Sequence, residues 1–189
     1  MTSLPPFPRL TGSADVSVRP AQPGDAPAIA RVQATTWRTA YRTVLPAAVL
    51  DEWDDGAVTA SWAAAVASPP TSRHRVLVAL EGNQVVGFVG VAPVEDDPSA
   101  AEVGPLLVEP RWGRRGHGSR LLAAVADLAT ADGVTRLQAW LLESDRPSAD
   151  FFESAGWAAD GWARTLETGA APLRELRWHT ALDDEDGTS

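Results

Sequence analysis

The chain alternates between two hydrophobic periods, and the switches between them outline its elements. A strand is predicted near residues 15–20. Apolar positions then recur with helical spacing through Ile29, Val32, Thr36 and Trp37, predicting a helix from about 25 to 40. Pro27 falls in its first turn, where a missing N–H costs little. Two more helices are predicted, over 46–54 from Pro46 and over 56–67, before Pro69-Pro70 breaks the pattern. Arg75 to Leu80 and Gln84 to Val91 read as strands joined by a hairpin turn at Glu81-Gly82-Asn83. Asp96-Asp97-Pro98-Ser99 reads as a loop, and 102–108 as a strand. Leu121, Leu122, Val125, Leu128 and Ala129 predict a helix over 117–132. A strand over 134–142, a helix over 147–155 and strands near 158–167 and 173–181 follow, the last two separated by Gly169-Ala170-Ala171-Pro172. This order predicts an α+β fold: a mostly antiparallel sheet with one parallel crossover around helix 117–132. No internal repeat or second domain is visible. One domain is expected over 15–182, with a disordered arm at 1–14 and an acidic disordered tail at 183–189.

The junction Val108-Glu109-Pro110-Arg111-Trp112-Gly113-Arg114-Arg115-Gly116-His117-Gly118-Ser119 carries the most chemistry. An apolar strand runs into a loop rich in glycine and arginine, and a helix opens at its end. Unpaired N–H groups in the first helical turn, together with the helix dipole, favour an anion there. Glycine lets the backbone come close to it. The motif predicts a phosphate-bearing ligand. A nucleoside-triphosphate loop needs lysine after its second glycine, and Ser119 stands there. A dinucleotide fingerprint needs glycine at 121, and Leu121 stands there. A plain Gly-rich turn is the competing structural reading.

What remains resembles the pyrophosphate loop of the GCN5-related N-acetyltransferases (GNAT), Q/R-x-x-G-x-G/A after a strand ending in V-x-P. Val108-x-Pro110 and Gly116-x-Gly118 fit, while Gly113 replaces the first Gln or Arg. Three further segments resemble the family in order. They are Val18-Arg19-Pro20-Ala21 with Gly24-Asp25-Ala26, Thr36-Trp37-Arg38-Thr39-Ala40-Tyr41-Arg42 with Leu45-Pro46, and Asp145 through Trp157.

The resemblance implies a GNAT-like mixed sheet with a splayed central strand pair, and acetyl-CoA as acyl donor. It implies acetyl transfer to a primary amine, of a small molecule or a peptide, by direct attack in a ternary complex. The cofactor's pyrophosphate is expected on the backbone from Arg114 through Arg115, Gly116, His117 and Gly118 to Ser119. The pantetheine arm is expected along Leu106, Leu107 and Val108, and near Asp145. Glu102 is the candidate proton acceptor for the amine, against the plainer reading of an exposed strand-end glutamate. Trp37 and Tyr41 are expected to line the acceptor pocket, although Tyr41 also suits simple helix packing. The family's Phe-Tyr pair is Phe151-Phe152 here, so the usual tyrosine acid is absent. That departure supports the alternative of a catalytically inactive CoA-binding regulatory module. A noncatalytic interaction domain that binds no CoA is the remaining competitor.

Composition narrows the partners. All 16 basic residues are arginine, which excludes a Schiff-base lysine. The absence of cysteine excludes disulfides and thiolate nucleophiles. His74, His117 and His179 are too scattered to suggest a metal site. A net charge of −9 disfavours nucleic acid. No apolar run approaches a membrane span, and Met1 to Ala14 lacks a signal-peptide core, so a cytoplasmic location is expected. An amine acceptor and, as a homodimer, a second copy of the chain are the partners left open.

Overall fold

The computed structural model describes residues 16–168 and 171–182. The expectations for 1–14 and 183–189, and Gly169-Ala170 of the last turn, lie outside the described residues. Among the described residues seven strands form one sheet in the order β1-β2-β3-β4-β5-β7-β6. They are β1 (Val16–Pro20), β2 (Arg75–Glu81), β3 (Gln84–Val94), β4 (Asp97–Val108), β5 (Arg136–Leu142), β6 (Ala158–Glu167) and β7 (Pro172–Ala181). The helices are α1 (Ala26–Thr39), α2 (Ala47–Asp51), α3 (Asp55–Ala67), α4 (His117–Ala131) and α5 (Arg146–Ser154). All neighbours pair antiparallel except β4 and β5, which α4 connects as a parallel crossover. The expected α+β class is observed.

Two apolar clusters hold the faces of the sheet. Leu121, Leu122, Val125 and Ala129 on one face of α4 pack with Val86, Val89, Val103 and Leu137. Ile29 and Val32 of α1 pack on the other side with Val78, Phe88 and Leu107, joined by Trp62 of α3. Each such fully buried side chain contributes about 1.5–3 kcal/mol relative to exposure.

Two elements differ from expectation. The loop at 96–99 is instead the start of β4: Val94 pairs with Asp97, leaving only Glu95-Asp96 as the turn. Asp97 accepts from the backbone N–H and the hydroxyl of Ser99 and pairs with Arg136 of β5, so side-chain bonds support a strand entry that Pro98 cannot. The helix expected over 46–54 ends at Asp51, because Asp54 is extended and caps α3, accepting from the N–H groups of Gly56 and Ala57.

The feature that builds the site is a break in β4. Register with β3 shifts between the Val91–Val103 and Val89–Leu106 pairs, which makes Gly104-Pro105 a bulge. The bulge inverts the alternation: Ala101 and Val103 face α4 before it, Leu106 and Val108 after it. Pairing with β5 stops at Val103–Ala139, although β4 runs on to Val108 and β5 to Leu142. The two central strands therefore splay apart.

Candidate functional site

Beyond Val103 the β5-facing edge of β4 has lost its partner. Glu109 N–H donates to Val86 carbonyl. Antiparallel alternation then turns Leu107 toward β3 and the peptide groups of Leu106 and Val108 toward the open edge. The side chain of Leu107 is buried in the α1 cluster. Gly87 lies across from Val108, where a Cβ would come within 2.9 Å of the Leu107 carbonyl oxygen, so only glycine allows this close β3–β4 approach.

Two clefts meet at the splay. One, of about 540 Å³, runs from Leu106, Leu107 and Val108 to Arg114, Gly116, His117, Gly118 and Ser119. The other, of about 350 Å³, is lined by Trp37, Tyr41, Glu102, Trp140, Arg164 and Glu175, among others. Leu106, Leu107, Tyr41, Asp145, Ser148 and Phe152 belong to both walls. A ligand in either cleft therefore reaches the other at the bulge.

The loop at the head of α4 turns sharply before the helix begins. Gly116 is the N-cap residue with φ 82°, and Arg114 also takes a positive φ of 60°. The first N–H groups of α4 have no intrahelical acceptor. Gly118 has a second constraint: a Cβ there would lie 3.2 Å from the Phe151 ring. The arginines divide their roles. Arg115 lies 4.8 Å over the Trp112 ring and 3.7 Å from Glu81, while Arg120 donates to the Arg115 carbonyl at 3.1 Å. Arg114 is exposed on the cleft wall, with its charge unpaired among the described residues. The His117 side chain is fully buried, with Nε2 3.0 Å from a Glu81 carboxylate oxygen. Its contribution to the cleft is therefore its backbone, and its imidazole belongs to the core beneath the loop.

On the other wall, Glu102 is half-buried and accepts from Gln138 Nε2 at 3.1 Å. Trp37 lines the cleft with Trp53 edge-on behind it, ring centres 4.8 Å apart. Tyr41 projects to the seam, its hydroxyl 3.3 Å from Ser148 Oγ. Burial, and then the neighbouring Asp145 carboxylate, push the phenol pKa well above its usual value. Asp145 is buried and caps α5, accepting from Ser148 N–H at 3.2 Å. Phe152 is buried edge-on against Trp157 at 4.8 Å, where the cleft walls meet.

Sequence reasoning missed four members of this arrangement. Glu109 is buried at the loop entry between Arg31 at 3.3 Å and Arg111 at 2.8 Å. Gly87 carries no motif of its own. Arg164 and Glu175 reach the cleft beside Glu102 through the β5–β7 and β6–β7 pairings. Among the described residues no group of three His, Asp or Glu side chains is placed to hold a metal, and no helix is long and apolar enough to cross a membrane.

A split mixed sheet with a loop-headed helix beside the split defines an acetyltransferase architecture. The chain belongs to the acetyltransferase (GNAT) family, whose model matches residues 33–157. It is 33% identical over 107 residues to mycothiol acetyltransferase of Nocardiopsis dassonvillei, covering 57% of this chain and 30% of that one. It is 29% identical over 144 residues to N-acetyltransferase YuaI of Bacillus subtilis, itself uncharacterized, covering 74% of this chain and 78% of the other. The chain thus spans about a third of the length of the mycothiol acetyltransferases it matches. The crystal structure of PaiA N-acetyltransferase from Thermoplasma acidophilum in complex with coenzyme A shares the fold. Its TM-score is 0.70 at 13% identity, over 88% of this chain and 98% of that one.

Proposed function

We propose that this protein transfers an acetyl group from acetyl-CoA to a primary amine by direct attack within a ternary complex. The observation that carries this reading is the splay of β4 from β5. It leaves a strand edge with unpaired peptide groups running between an anion-binding helix start and a cleft that contains Glu102.

The residues present fit acetyl-CoA. The N–H groups at the head of α4 suit its pyrophosphate, with Arg114 adding charge. The open Leu106 and Val108 edge suits the amide-bearing pantetheine arm, which would pair as an added strand does. Leu107 and Phe152 give that arm apolar walls. Acetyl-CoA supplies a thioester whose carbonyl carbon is open to an amine.

The chain supplies the rest. An alkylammonium with pKa near ~10 must lose a proton before it attacks. Glu102 takes that proton, directly or through water, and returns it to solvent. The amine nitrogen then bonds to the acetyl carbon as the carbon–sulfur bond breaks. The second amine proton balances the departing sulfur. A free backbone N–H on the β4 edge stabilises charge on the carbonyl oxygen, a fixed donor needing no reorganisation. Trp37 and Tyr41 shape the acceptor side.

Phe152 favours one other reading, a CoA-binding module without catalysis. Thiol release with a panel of primary amines separates the two. Amine-dependent release supports transfer. Tight acetyl-CoA binding with no release above the no-amine control would replace the enzyme reading with the binding one.

A further inference from the structure

The far wall of the acceptor-side cleft holds a cation that acetyl transfer itself does not require. Arg164 on β6 pairs across from Glu175 on β7, and both line the cleft beside Trp140. Arg164 Nε donates to a Glu175 carboxylate oxygen at 2.6 Å. Glu175 is buried, so this acceptor is fixed. The guanidinium carbon lies 4.5 Å from the centre of the Trp140 ring. The two contacts hold the guanidinium by one nitrogen and by its neighbouring ring. Its two terminal nitrogens have no acceptor among the described residues, and the side chain is 43% exposed. A guanidinium anchored in this way presents a two-donor end that matches a carboxylate.

The cleft's charges point the same way. Of its three carboxylates, Asp145 is engaged as the α5 cap and Glu175 by Arg164. Glu102 remains, bound among the described residues only by the neutral amide of Gln138. The available charges are therefore one negative at Glu102 and one positive at Arg164. Trp140 lies two residues beyond Gln138 on the same face of β5, about 7 Å along the strand. A simple dication would meet the positive end of Arg164. A molecule with an ammonium and a carboxylate a few bonds apart matches both ends.

We propose that the acetyl acceptor is an amino acid or a related aminocarboxylate, bound with its carboxylate on Arg164 and its amine toward Glu102. This rests on the acetyl-transfer reading and names the substrate class of the same site. Arg164 is then a specificity-determining residue.

The test compares methionine, glutamate, β-alanine and γ-aminobutyrate with their carboxamides, and includes spermidine. Acetylation is followed by thiol release, and binding by calorimetry in the presence of CoA. The wild-type protein is expected to favour at least one acid over its amide by roughly ten- to hundredfold in kcat/KM, the scale of a charged hydrogen-bonded pair. Arg164→Gln is expected to bring that ratio within about threefold of unity. Arg164→Lys, which keeps the charge but not the fork, should retain part of it. Because the ratio is taken within one protein, a general loss of folding or turnover does not mimic the effect.

Amide or spermidine acetylated as well as every acid would overturn the carboxylate subsite and leave acetyl transfer standing. An unchanged ratio in Arg164→Gln would do the same. If no amine is acetylated but an acid binds the wild type and not Arg164→Gln, the subsite stands and the catalytic reading falls. Neither binding nor acetylation would remove both.

Discussion

The hydroxyls of Tyr41, just past the end of α1, and Ser148 on α5 meet at 3.3 Å. Ser148 lies one helical turn ahead of Phe152, so this contact places a phenol beside the position whose hydroxyl the sequence lacks. Tyr41 is also on the wall of both clefts. Burial and then Asp145 raise its pKa, so it keeps its proton well into alkaline conditions.

A phenol that stays protonated at that seam is placed to hydrogen-bond the departing sulfur, while the proton the sulfur finally takes comes from the amine. Tyr41→Phe is therefore expected to lower kcat about tenfold while acetyl-CoA affinity changes less than about threefold. The loss is below the usual acid–base range because a thiol of pKa about 8.5 leaves with little help. Phe152→Tyr introduced into Tyr41→Phe should recover part of kcat. Steady-state kinetics decide it: an unchanged kcat in Tyr41→Phe would reduce the residue to a packing role.

Glu102→Gln should lower kcat/KM by ~10²-fold at neutral pH, within the range for a lost general base. Part of the rate should return toward pH 10, as the acceptor amine deprotonates unaided. The fold should persist, since Gln138 can turn its amide to pair with the new one. The same pH–rate profile in wild type and variant would remove Glu102 from the proton path.

The expected element order survives because each helix and strand carries its own period, cap or breaker. The loop at the head of α4 was legible for the same reason: its glycines, strand and helix start are contiguous. Residues that act through distant pairing were not. Glu175 and Arg164 reach the cleft through the order β5-β7-β6, which no local pattern encodes. The bulge has one local cause, Pro105, which cannot donate to a ladder, but the inverted alternation after it needs the pairing with Val89. His117 sits inside a cofactor motif, yet its side chain turns to Glu81, a residue thirty-six positions earlier. A motif fixes the path of the backbone there and leaves the side chain's direction to packing.

Gly118 joins the loop to α5. A methyl at this position would lie 3.2 Å and 3.3 Å from two Phe151 ring atoms and 3.7 Å from Leu106. Gly118→Ala is therefore expected to displace Phe151, a cleft residue, and weaken acetyl-CoA binding about tenfold by calorimetry. Gly116→Ala works differently, straining a left-handed N-cap by about 1 kcal/mol or more. It should lower both melting temperature and affinity. A bulky residue at 118 would strike Phe151 before any ligand, so alanine is the cleaner probe. Wild-type affinity in both variants would exclude the loop as the phosphate site.

The last expectation concerns acid stability at the β1–α1 junction. Arg19 donates two hydrogen bonds to Asp25, at 2.6 and 3.0 Å, and Gln22 N–H donates a third at 2.7 Å. The Arg19 hydrogen bonds hold the Asp25 carboxyl below its ordinary pKa, against the opposing effect of burial, with further help from Gln22. A depressed folded-state pKa adds stability that is present above the unfolded value of about 3.9 and is lost as pH falls through the folded value. Asp25→Asn should therefore lower the melting temperature at pH 7 and matter progressively less between pH 5 and pH 2. Asp97, Asp132 and Asp160 are held low as well, by Ser99 and Arg136, by Arg75 and by Arg177, so the variant should keep an acid transition of its own. Arg19→Gln and the double variant complete a cycle whose coupling should vanish once Asp25 is protonated. Because α1 carries Gln33 and Trp37 into the cleft that holds Glu102, the pair anchors one wall of that cleft. Thermal melts of the four proteins across this pH range test the sign directly, and a coupling that grows as pH falls would show that Asp25 is not stabilised as the carboxylate.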